Sequence, residues 1–115
     1  MPIPRIANKD ARRFVEARKP FKGNNLYAER HIASHGHTDL YVVYSYGEHF
    51  PIYAAEVGDC GQVHWYANDG KYSPSTSRHQ SQAMPWYVDF IPMNTGAMQC
   101  LARDGIAGVA AGSRG

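Results

Sequence analysis

Residues 71–82, KYSPSTSRHQSQ, gather five Ser/Thr hydroxyls, a Lys, an Arg and a His without one large aliphatic side chain. Ser73 followed by Pro74 matches a helix start, with a capping hydroxyl and a proline pre-set at the first helical position. Free N–H groups and the positive end of a helix dipole would then stand beside Lys71, Ser73, Ser75, Thr76, Ser77, Arg78 and His79. Those groups suit a phosphate or carboxylate. The alternative is a capped surface helix whose polar side chains face water. One cap explains one hydroxyl and not five, and the Gly-x-x-x-x-Gly-Lys pattern of a P-loop is absent.

Basic residues form a second group. Lys9, Arg12, Arg13 and Lys19 share one face of an expected helix, flanked by Arg5 and Lys22. A nucleic-acid backbone or an acidic protein patch would answer such a face. Glu16 lies within reach and partly neutralises it. Trp65 and Tyr72 are candidates to stack on a base or to anchor a partner.

Other chemistry finds less support. His31, His35 and His37 lie within seven residues, but no Cys or carboxylate is placed as a fourth ligand. They read as surface or hydrogen-bonded histidines, so no metal or other cofactor is expected. Ser75, Ser77 and Cys60 could be nucleophiles by type, with His79 or His64 as base, but no nucleophile-elbow pattern surrounds any serine. No catalytic residues are assigned.

These groups need elements to hold them. Asn8 can cap a helix through KDARRFVEARK, stopped by Pro20, and FKGNN reads as a loop. Strands are expected at 26–32 (LYAERHI), 40–46 (LYVVYSY), 50–57 (FPIYAAEV) and 62–67 (QVHWYA). In LYVVYSY, Leu40, Val42, Tyr44 and Tyr46 would point one way and Tyr41, Val43 and Ser45 the other. A helix from Ser73 to about Ala83, a strand at 86–91 (WYVDFI) and a helix capped by Thr95 and closed by Gly105 complete the chain. The order α-β-β-β-β-α-β-α predicts an α+β domain over residues 1–105. Its antiparallel meander of about five strands would carry helices packed on one face. Residues 106–115, rich in Gly and Ala, read as a flexible tail.

With 115 residues, 43% of them hydrophobic, the chain has material for one core. No apolar run approaches the roughly 18 residues that cross a bilayer, and the N-terminus has no signal-peptide centre. A cytoplasmic setting with reduced thiols and no membrane partner is the expectation. Charge is sorted along the chain. Residues 1–30 carry eight Lys/Arg against three acidic residues, a net of +5. Residues 31–70 carry five acidic residues and no Lys or Arg, and residues 71–115 return to +2. Local fields steer partners more than the sum does.

WYANDGKYSPSTSRHQSQ, with PFKGNNLYAE and LYVVYSYGEHFPIY upstream, resembles a group of small phage and prophage proteins. Their signature is Trp, Asn, then Lys-Tyr-Ser-x-Thr-Thr-Ser-x-His-Gln. Trp65, Asn68, Lys71, Tyr72, Ser73, Thr76, Ser77, His79 and Gln80 match it, while Ser75 stands where the first Thr would be. The resemblance covers roughly residues 20–92 and implies a phage accessory origin in a host cell's cytoplasm, with no assigned activity. By analogy of origin, the expected function is a non-enzymatic protein that engages a host protein or ribonucleoprotein complex. A host-defence inhibitor, such as an anti-CRISPR or anti-restriction protein, is of this kind. Direct nucleic-acid binding through the basic helix and residues 71–80 is the alternative, and a small phosphate-ester-acting enzyme the third reading.

Overall fold

The computed structural model describes residues 3–34, 37–48, 50–58, 61–70, 74–86 and 88–112. A 3-10 turn at Asn8–Asp10 leads into α1 (Ala11–Glu16), β1 (Phe21–Lys22), β2 (Leu26–Ile32), β3 (Asp39–Ser45) and β4 (Pro51–Val57). β5 (Val63–Asn68), α2 (Pro74–Ala83), β6 (Phe90–Met93) and α3 (Thr95–Gly112) follow. The six strands form one sheet in sequence order, β1-β2-β3-β4-β5-β6.

The α+β class and the largely antiparallel sheet are as expected, and the details differ. There are six strands, because Phe21–Lys22 in the anticipated FKGNN loop pairs with Ala28 and Tyr27. The last pair is parallel: α2 carries the chain back over the sheet, so Trp65–Asn68 align with Phe90–Met93. The last strand also starts at Phe90, later than the anticipated Trp86.

Helices cover both faces of the sheet, not one. Every residue from Leu40 to Ser45 and from Pro51 to Glu56 is buried, so β3 and β4 have no polar side to turn toward water. Tyr41, Val43, Tyr53, Ala55 and Trp65 pack with Ala11 and Val15 of α1 and Ala83 of α2. Leu40, Val42, Tyr44, Ala54 and Tyr66 face the other way, onto Met98, Leu101 and Ala102 of α3. No helix among the described residues is long and apolar enough to cross a membrane.

The expected tail is also corrected. Residues 106–112 continue α3 beyond a break at Gly105, whose φ of 78° and ψ of −179° suit only glycine. The buried Glu56 of β4 makes the break possible. Its Oε1 accepts the Ile106 N–H at 3.0 Å, satisfying a donor freed by the break, while its Oε2 accepts the Thr38 hydroxyl. A carboxylate at the start of a helical segment also meets the favourable end of its dipole.

Gly105→Ala is expected to lower stability by about 1–3 kcal/mol, since its Cβ would lie 2.5 Å from Glu56 Oε2 as well as strain the backbone. Urea unfolding, with the midpoint falling at unchanged slope, checks this.

Candidate functional site

α1 is shorter than KDARRFVEARK suggested. Asn8 makes no helix cap; its side chain instead grips the Asn24 backbone, Oδ1 accepting from N at 2.8 Å and Nδ2 donating to O at 2.9 Å. Arg18, with φ of 52°, ends the helical path before Lys19. Lys9, Arg13, Lys19 and Lys22 are exposed.

Arg12 is not a free surface cation. Its Nε donates to Met84 O at 2.6 Å and its Nη2 to Ser81 O at 2.7 Å, so the guanidinium closes the carbonyl end of α2. The same group lies 4.3 Å from the centre of the Trp86 ring, and Trp86 N–H donates to Glu16 Oε2 at 2.8 Å. Arg12 and Glu16 thus latch α1 to the end of α2. Trp86, 57% exposed, is the aromatic that stands at this surface. Trp65 does not: it is buried edge-on against Phe90, with ring centres 6.3 Å apart. Its assignment to partner binding is corrected to a core role.

The hydroxyl-rich dozen divides in two. Lys71, Tyr72 and Ser73 lie outside the described residues. Pro74 opens α2 as anticipated, and Ser75 and Thr76 fall in its first turn. Ser77 and Arg78 face solvent. His79 turns inward and is corrected from anion contact to packing: its Nδ1 is hydrogen-bonded to Ser45 Oγ at 2.8 Å, and its ring lies 5.3 Å from that of Tyr46. Ser45 is 0% exposed, so this hydroxyl–imidazole pair ties β3 to α2 instead of presenting a nucleophile. Gln80 continues the inner side. Its carbonyl accepts Tyr53 Oη–H at 2.9 Å, and its Nε2 donates to Asn68 O at 3.5 Å. Asn68 Nδ2 in turn donates to Pro51 O at 3.0 Å and Thr95 Oγ at 3.1 Å. His79 and Gln80, bonded to Ser45, Tyr53 and Asn68, therefore hold α2 on the sheet.

The histidine trio is dispersed. His31 Nε2–H donates to Ala102 O at 2.8 Å, His37 is exposed, and His35 lies outside the described residues, as does Cys60. No three His, Cys, Asp or Glu side chains converge as a metal site among the described residues. Ser45 escaped sequence reading, although a serine ending the inward stripe Tyr41, Val43, Ser45 is the mark of a buried polar contact.

Comparison of the chain with protein-family models, curated proteins and solved structures gives no significant match in any of the three.

Burial first, and the Arg78 charge second, hold the His79 pKa below its ordinary 6.5. The unfolded chain therefore takes up this proton before the folded one, and folding stability falls as pH drops below 6.5 toward the lower folded-state value. His79→Gln should remove that component, so the stability difference between parent and variant changes across this window; urea unfolding at stepped pH measures it. Arg12→Ala should cost about 1–2 kcal/mol, because it leaves two carbonyls without their charged donor, and should shift Trp86 fluorescence.

Proposed function

We propose that this chain is a non-catalytic binding protein of phage accessory origin that engages a host protein or ribonucleoprotein complex. Its contact surface is the exposed side of the α1/α2 layer. One observation carries the reading: Lys9, Arg13 and Arg78 are exposed on the elements that cover the same sheet face, and the exposed Lys19 follows α1 in the link to β1. The layer also carries two carboxylates, Asp10 and Glu16. Glu16 accepts the Trp86 N–H, and Asp39 is held by Arg30 with contacts of 2.5–3.2 Å. A surface with this excess of cations steers and orients an anionic partner. The exposed Trp86, braced by Arg12, supplies the aromatic anchor that interfaces favour. The phage-type signature supplies the setting.

Direct nucleic-acid binding is the second reading, favoured by the contact between α1 and α2 that brings these cations and Trp86 onto one side. The two readings differ in salt response. Nucleic-acid affinity would fall with a slope of about −0.7 to −0.9 per phosphate neutralised.

The test is affinity capture from host lysate, with and without defence complexes expressed, by the parent and by the Lys9→Glu/Arg13→Glu/Lys19→Glu variant. Retention of a stable partner by the parent, weakened about tenfold or more in the variant, is the expected outcome. Recovery of no stable partner, or equal recovery by both proteins, overturns the proposal.

A further inference from the structure

The opposite side of the sheet carries an acidic groove. Alternation along β2 turns Tyr27, Glu29 and His31 toward the α3 side, where His31 meets the Ala102 carbonyl. α3 supplies one wall through Gln99, Ala102 and Arg103, and Pro20 and Ile3 form the far rim. The cavity measures about 700 Å³, far more than a single ion fills.

Its charges do not balance. Arg30 is held by Asp39, and Arg103 by Asp104 at 3.2 Å. Glu29 and Glu48 also line the groove, are exposed, and have no cationic partner among the described residues. Each reaches the field of both neighbouring tyrosines, helping burial to hold the Tyr27 and Tyr44 hydroxyls protonated. The two tyrosine rings stack with centres 5.0 Å apart and planes inclined by 23°.

Tyr44 supplies an independent observation. It is 5% exposed and lines the groove, yet among the described residues no group hydrogen-bonds its hydroxyl. Tyr41 and Tyr53, buried on the other face, donate to the carbonyls of Lys19 and Gln80. The Tyr44 hydroxyl is not one of the buried polar atoms left without a partner, so it opens onto the groove, where water or an occupant meets it.

We infer that the groove between β2 and α3 binds a basic peptide segment of a partner, with an Arg or Lys side chain seated between Glu29 and Glu48 against the Tyr27–Tyr44 pair. Two carboxylates accept from a guanidinium or ammonium group. Tyr27, half-buried, adds aromatic surface nearby for the same cation. The cavity volume of about 700 Å³ admits several residues, not a lone side chain. This surface is separate from the α1/α2 layer, so each can fail its test without the other.

Titration of the full chain with a tetra-arginine peptide at low salt, followed by calorimetry and by the Tyr27 and Tyr44 ring resonances, tests the inference. Binding should shift both resonances. Glu29→Gln/Glu48→Gln should weaken it about tenfold or more, and Tyr44→Phe should weaken it less while leaving the fold intact. Lys9→Glu/Arg13→Glu should not weaken it. Absence of binding, or affinity unchanged by the double Gln variant, overturns the site. Spermidine binding as tightly as the peptide overturns the peptide occupant. Circular dichroism confirms that each variant is folded.

Discussion

Water has to be kept from both sides of β3 and β4, and the remaining architecture answers that demand. The strands bury Leu40 to Ser45 and Pro51 to Glu56 without an exposed position, so neither face can be the wet one. A chain of this length has few residues with which to build two covers. It uses α1, of six residues, with α2, of ten, on one face and α3 on the other. Helices as short as the first two are marginal alone. They persist because the sheet and the Arg12–Glu16 latch hold them.

Much of this was legible in the residues. LYVVYSY and FPIYAAEV announced strands through β-branched and aromatic content, and the alternation assigned Tyr41, Val43 and Ser45 to one side correctly. The unbroken apolar run also held the clue to cover on both faces, but the short turns between strands favoured a simpler one-sided meander. What stayed hidden depended on distance along the chain. Arg12 reads as one more basic residue on a helix, because its acceptors lie 69 and 72 residues away. Residues 106–112 read as a tail because the carboxylate that stabilises their first turn comes from β4, 50 residues earlier.

Charge illustrates the same limit. Summed along the chain, the first thirty residues are basic and the next forty acidic. Folding regroups them: Glu29 of the basic block joins Glu48 of the acidic block in one groove. Glu56 is drawn into the interior, and Asp39 is taken by Arg30. The surface fields follow the layers of the fold more closely than the order of the sequence. The hydroxyl-rich stretch divides in the same way, with Ser77 and Arg78 outward and His79 and Gln80 inward.

The two margins of the sheet bear on how any partner is met. β1 is only two residues long, and the N-terminal stretch already lies beside it through the Arg5–Lys22 bridge. β6 has four residues, one of them Pro92, which has no N–H to offer. Neither margin is a template on which a foreign backbone could lengthen the sheet. Partner recognition of the kind proposed would therefore fall to side chains, which would make it sensitive to single substitutions in a way that backbone-to-backbone docking is not.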